Sequence, residues 1–243
     1  MAFEYQNNQD LLNRLKLSEC PDSTYNASPP LVFHRAKGSY VYDVDGNTYL
    51  DFCMGFGSLG LGHNYPELVN ALKKFLDEKT QWQSMGDVYP HASKVQLIEN
   101  VLSHLPPRFK RVSLSLTGSD AVATAVKTAQ ISTKKHGFLA IKNCYHGVEF
   151  GALRLTHRED FKKPFIQPKE NPDVVYIEPH CSEEEILNSI HKLKNSEHGF
   201  AGIIIEPVLG RGGLIPLDLS WVKKLTDLTH LSLIHISEPT RPY

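Results

Sequence analysis

Three short stretches of this chain set polar or aromatic side chains directly after, or among, apolar runs: "TGSDA" from Thr117, "NCYHG" from Asn143 and "EPVLGRGG" from Glu206. Each points to a different piece of chemistry. Ahead of the first, Val112, Leu114 and Leu116 alternate with Ser113 and Ser115, and after it Ala121, Val122, Ala125, Val126 and Ala129 recur at helical spacing. That pattern predicts a strand, a tight turn at Gly118 and a helix capped by Ser119 or Asp120. Unpaired backbone N–H groups at such a turn suit an anion, and the helix end contributes about 0.3–2 kcal/mol toward a phosphate before any side chain helps. Ser119 adds a hydroxyl donor. The stretch lacks G-x-x-x-x-G-K-[ST], which argues against a nucleoside triphosphate. In the second stretch the ring of Tyr145 could stack on a flat heteroaromatic ligand, beside His146 and the slim backbone of Gly147. In the third, Glu206 follows Ile203, Ile204 and Ile205, and a carboxylate at that depth needs a polar partner. Each stretch also has a plain reading: an ordinary capped helix, two residues closing a strand, a carboxylate hydrogen-bonded to a neighbouring loop. Together they describe a site for a small phosphorylated aromatic ring.

The elements that would position these residues alternate. "GFLAI" (137–141), "VVYI" (174–177) and "AGIIIEPV" (201–208) read as buried strands. "PELVNALKKFLDE" from Pro66, "SEEEILNSIHKLKN" with a Ser182/Glu185 capping box, and "LSWVKKLTDLTH" read as helices. Such alternation implies a mostly parallel sheet covered by helices, whose ligands bind at the carboxyl ends of the strands. All three stretches fall at those ends. Earlier, "GSYVYDVDGNTYLDF" carries a hairpin around Asp45 and Gly46. Asp43 and Asp45 do not make a calcium loop, because the glycine is misplaced and Met54 stands where the twelfth-position glutamate belongs. "GFGSLG" matches G-x-G-x-x-G, but "LGHNY" intervenes before the helix at Pro66, so a glycine-rich loop in a domain seam is the better reading.

Composition narrows the function classes. Twenty-six Lys and Arg balance 27 Asp and Glu in 243 residues, and no basic run suggests a nucleic-acid surface. Cys20, Cys53, Cys144 and Cys181 are widely spaced, as expected of reduced thiols in a reducing compartment. The twelve histidines form no metal-ligand motif. The N-terminus lacks the apolar core of a signal peptide and no run reaches membrane-spanning length, which predicts a cytoplasmic protein with no membrane partner.

In their order, "VFHRAKGSYVYDVDGNTYLDF", "LGLGHNYPELVNALKK", "TGSDAVATAVKTAQ", "NCYHG" and "AGIIIEPVLGRGG" resemble the class III aminotransferases, over about residues 30 to 230. The group includes glutamate-1-semialdehyde 2,1-aminomutase and the ω-amino acid aminotransferases. The resemblance implies an α/β fold of the type I pyridoxal-phosphate transferases and, as cofactor, pyridoxal 5'-phosphate. It implies transfer of an amino group between an amino acid or amine donor and a carbonyl acceptor, in a homodimer when full length. By the same resemblance Gly118 and Ser119 hold the cofactor phosphate, Tyr145 stacks on its ring with His146 completing the motif, and Glu206 stands beside it. Ser119-Asp120-Ala121 departs mildly from the family's more frequent Thr-Glu-Ala.

The family continues, after the helix matching "LSWVKKLTDLTH", into an apolar strand ending in Asp-Glu and, later, a lysine that forms the Schiff base. This chain reads "LSLIHISEPTRPY" instead, so no catalytic lysine or pyridine-nitrogen aspartate is expected in it. "SLIHISEPTRPY" resembles the translated read-through of a sequencing adaptor; the alternative is a genuine end in which Leu231, Leu233, Ile234 and Ile236 form an edge strand. The expected organisation is an N-terminal arm (1–30), a hairpin and glycine-rich loop of a small domain (31–62), a partial cofactor-binding domain (63–230) and a non-native tail (231–243). Two other functions stay open on the residues alone. One is a non-catalytic cofactor-binding or dimerisation fragment; the other is an unrelated phosphate-binding α/β protein.

Overall fold

The structure, a computed structural model, describes residues 7–18, 31–78, 88–163 and 173–230. The adaptor-like tail and the edge strand considered for it lie outside the described residues, as does the "NASPP" end of the N-terminal arm. The chain divides into two units, Met1–Gln96 and Leu97–Tyr243.

The first unit opens with α1 (Asn8–Ser18), a helix inside the stretch read from sequence as an arm. It is followed by β1 (Phe33–Lys37), β2 (Tyr40–Asp43) and β3 (Thr48–Leu50), an antiparallel sheet in the order β1-β2-β3. The expected hairpin is the β2–β3 connection, with Gly46 at φ +88°. Its hub is the buried carboxylate of Asp43. Asn47 donates to it through its backbone (2.8 Å) and its side chain (3.0 Å), and so do Tyr49 Oη and Asn8 Nδ2, each at 3.0 Å. Asn8 Nδ2 also donates to Asp45 at 2.8 Å. The two aspartates that superficially resemble calcium ligands thus spend their lone pairs on tying α1 to the hairpin. The glycine-rich loop contains the four-residue turn α2 (Met54–Gly57), where Gly55 and Phe56 are left-handed, and α3 (Pro66–Asp77) starts at the proline as expected. Helix α4 (Ala92–Ser103) runs across the division between the two units, at Gln96 and Leu97.

In the second unit α5 (Gly118–Thr133) leads to β4 (Gly137–Ile141), two short helices α6 (Phe150–Leu153) and α7 (Glu159–Lys162), then β5 (Val174–Ile177), α8 (Glu183–Lys194) and β6 (Phe200–Ile203). A two-residue ladder, β7 (Val208–Leu209) with β8 (Ile215–Pro216), precedes α9 (Leu219–His230). The strands β5-β4-β6 are parallel, with β4 in the centre. Every residue of β4 is buried. On one face Leu139 and Ile141 pack with Ile186, Leu193, Trp221 and Leu225 of α8 and α9. On the other, Phe138 packs with Val122, Val126 and Ala129 of α5. Each fully buried Leu or Ile contributes about 1.5–3 kcal/mol, so the continuous apolar run of β4 suits only a central strand. The small residues of α5 let that helix close on the sheet. Helix α8 carries the expected Ser182 cap, which accepts from Glu185 N–H at 3.2 Å. No described helix is long and apolar enough to cross a membrane.

Three expectations are corrected. Val112–Leu116 forms no strand: both sides of β4 are taken by β5 and β6, the stretch has no ladder partner among the described residues, and Leu116 is 98% exposed. Alternation records a face, whereas a strand also needs a neighbour. Gly118 makes no turn but is the first residue of α5, and the cap is Thr117 rather than Ser119 or Asp120. Thr117 has the extended backbone a cap requires (φ −141°, ψ 162°), while the two later residues are already helical. Finally, β6 ends at Ile203 rather than running to Glu206 and Pro207; one ladder bond continues, from Ile204 N–H to Leu139 O at 2.9 Å. Proline has no N–H to extend a ladder.

Candidate cofactor site

The first turn of α5 is built around Thr117. Its Oγ1 accepts the N–H of Asp120 at 3.1 Å, and Asp120 Oδ2 in return accepts the N–H of Leu116 at 3.3 Å. The N–H groups of Gly118 and Ser119 meet no acceptor among the described residues. Ser119 Oγ accepts the N–H of Glu149 at 3.0 Å. One of its two lone pairs is used there and its proton remains to be donated, next to two amides at the positive end of a sixteen-residue helix.

The stretch after β4 is laced to Leu155–His157. Cys144 Sγ donates to Leu155 O (3.2 Å) and His157 N–H to Cys144 O (3.0 Å). Thr156 Oγ1 accepts from His146 N–H (2.9 Å) and donates to Gly147 O (3.0 Å). From the other side, Glu206 Oε2 accepts the N–H of Tyr145 (3.0 Å) and its Oε1 that of Gly210 (3.1 Å). Gly147, at φ +122°, lies so close to Ser119 that a Cβ there would overlap Ser119 Oγ. Gly212 likewise closes on the Asn143 carbonyl, where a Cβ would meet the oxygen at 2.7 Å. The three stretches singled out in the sequence are therefore in contact, at the carboxyl ends of β4 and β6.

The ring of Tyr145 is half-buried, tilted 60° to that of Phe161 at 5.9 Å between centroids. The Arg211 guanidinium lies 4.6 Å from the Tyr145 centroid and 5.4 Å from that of Phe161. His146 is only 4% exposed, and neither ring nitrogen has a hydrogen-bond partner among the described residues. Burial lowers its pKa to about 4, so the ring is neutral at pH 7. Burial also pushes the Cys144 thiol up to about 12, which makes it a packing group and not a nucleophile.

Ser119, Tyr145 and Glu206 thus converge, with Gly118 beside Ser119 and His146 beneath the same turn. Glu206 does so by bracing the backbone of Tyr145, the plain reading of its carboxylate. Phe161, Arg211 and Thr156 escaped the sequence reading. Arg211 could have been noticed as a lone cation in a glycine-rich loop; Thr156 and Phe161 carried no local signal. Two free amides, a hydroxyl poised to donate and an aromatic ring on the adjoining turn fit a phosphorylated flat ring.

The fold is that of the type I pyridoxal-phosphate transferases. A transaminase from the marine bacterium Virgibacillus superposes with a TM-score of 0.77 at 20% identity, over 91% of this chain and 53% of that one. The ω-transaminase of Pseudomonas jessenii, solved with PMP, gives 0.76 at 22%, over 91% and 54%. In sequence, the acetylornithine aminotransferase of Archaeoglobus fulgidus is 33% identical over 198 residues, 82% of this chain and 49% of the relative. The family profile for class III aminotransferases matches residues 23–234, and the chain belongs to that family. It spans about half the length, or less, of the curated relatives it matches.

Proposed function

We propose that this chain supplies the phosphate-holding and ring-stacking part of an aminotransferase site that moves an amino group between an amino acid or amine and a carbonyl compound. The observation that carries the reading is the contact of Gly147 with Ser119, together with the Glu206 carboxylate on the Tyr145 amide. When bound, pyridoxal phosphate supplies an aldehyde to carry the amino group and a ring to take up electrons. Gly118 and Ser119 hold the phosphate by two amides and a hydroxyl. Tyr145 covers one face of the ring, excludes water from it and fixes its tilt. Glu206 and Gly147 set the position of Tyr145.

The catalytic lysine and the aspartate for the pyridine nitrogen belong, in this reading, outside residues 1–230. Supporting this, the ammonium of Lys142 is paired with Glu178, and that of Lys162 is 3.2 Å from Glu159 and 5.0 Å from the centre of the Tyr176 ring. Lys127 lies on α5. Residues 1–243 alone would then hold the cofactor without turning it over, and the complete protein would work as a homodimer in the cytoplasm.

Pyridoxal phosphate titrated into the full-length protein tests this, with Tyr145→Ala alongside. Cofactor binding that Tyr145→Ala weakens by about two- to tenfold is expected from the loss of one aromatic stacking contact. Equal retention by both proteins would count against the stacking role, and no binding by the parent would defeat the whole reading.

A further inference from the structure

Thr156 is 0% exposed and follows the short helix α6, in a stretch with no recognisable motif. Its hydroxyl makes two hydrogen bonds to consecutive residues of the Tyr145 turn: it accepts from the His146 amide at 2.9 Å and donates to the Gly147 carbonyl at 3.0 Å. A hydroxyl can do both at once because it carries one proton and two lone pairs. Those bonds hold the end of the turn nearest Ser119, where the left-handed Gly147 touches the serine side chain. Glu206 holds the other end through the Tyr145 amide. Without Thr156 the turn would be fastened at Tyr145 by Glu206 and beyond it by the Glu149 N–H on Ser119 Oγ, while His146 and Gly147 between them would keep no hydrogen bond among the described residues.

We infer that Thr156 is a positioning residue: its buried hydroxyl sets the His146–Gly147 turn against Ser119 and thereby fixes the distance between the phosphate donors and the Tyr145 ring. The inference rests on the proposed cofactor reading. A looser turn would have to be ordered when the ligand binds, and that ordering subtracts from affinity. Because the role belongs to the hydroxyl, serine should replace threonine and valine should not, although valine matches its shape more closely.

The test is made on the full-length protein as wild type, Thr156→Ser and Thr156→Val, at a temperature where far-ultraviolet circular dichroism shows all three folded. Two readouts are taken: the dissociation constant for pyridoxal phosphate, and the visible circular dichroism of the bound cofactor, which reports the tilt of its ring. Thr156→Val should bind about tenfold or more weakly with an altered dichroic band, from the loss of two buried hydrogen bonds. Thr156→Ser should stay within about threefold of wild type, with the band unchanged. Valine binding like wild type, or serine falling as far as valine, would overturn the inference. Should Thr156→Val fail to fold, amide hydrogen exchange in the wild type decides instead. A protected His146 N–H upholds the clip, and exchange at the rate of an open loop defeats it. Wild type that binds no pyridoxal phosphate defeats the cofactor reading rather than the clip, which the exchange measurement still reports.

Discussion

Replacing His146 with leucine should remove a large part of the protein's sensitivity to mild acid. The imidazole is 4% exposed, its two nitrogens have no hydrogen-bond partner among the described residues, and burial lowers its pKa to about 4 from an ordinary 6.5. A folded-state pKa below the unfolded one means that the unfolded chain binds the proton more tightly. The stability tied to the neutral ring is therefore complete above pH 6.5 and is lost as the pH falls from there through about 4. At about 1.36 kcal/mol per pH unit, the loss reaches about 2 kcal/mol at pH 5 and about 3 kcal/mol at pH 4. Leucine is similar in size and has nothing to protonate. At pH 7 it also relieves the cost of two unpaired buried polar atoms, on the order of 1–3 kcal/mol each, so the variant should be as stable as the parent or more so. The assay is urea unfolding of both proteins without cofactor at pH 7 and pH 5, read as the difference in midpoint at constant slope. The gap between variant and parent should widen in favour of leucine by about 2 kcal/mol at the lower pH. Parallel losses in the two proteins would mean that His146 is solvated or paired, and the account of a neutral buried ring would be wrong.

Thr117→Ala removes the cap of α5 and should cost about 1 kcal/mol in urea unfolding; an unchanged midpoint would show that the Asp120 N–H finds another acceptor. The same change should loosen cofactor binding, since Gly118 and Ser119 are the next two residues of that turn. Asp43→Ala should loosen the hairpin and weaken its hold on α1, because donors from Asn47, Tyr49 and Asn8 lose their acceptor while Asn8 goes on donating to Asp45 alone. The readout is amide exchange across Asn8–Ser18, and unaltered protection there would refute the clamp. Burial of Asp43 on its own would raise its pKa, but the Asn47, Tyr49 and Asn8 hydrogen bonds hold it at about 2. The clamp should therefore persist above the ordinary value of 3.8 and fail only as the pH drops through about 2.

Much of this site could be read along the chain, for a reason visible in particular residues. Ser119, Tyr145 and Glu206 each stand where an apolar run gives way to a polar one, and in a parallel sheet such boundaries gather at one edge. Their types and order were enough to suggest a phosphorylated ring, and the resemblance to class III aminotransferases named it. Period and apolar content likewise located β4, β5, α3, α8 and α9, because burial imposes those patterns locally. Sequence could not say that Val112–Leu116 lacks a partner, since alternation depends only on the strand's own two faces. It could not choose Thr117 over Ser119 as the cap, as all are good capping types and backbone angle decides between them. Nor could it find Thr156, whose two bonds reach back nine and ten residues to a turn that takes its shape only once Glu206, 61 residues ahead of Tyr145, braces the other end. Local pattern determines which residues face the core and which stand at strand ends. Only tertiary packing decides which polar atom meets which, because a hydrogen bond is made between positions in space and leaves no period in the sequence.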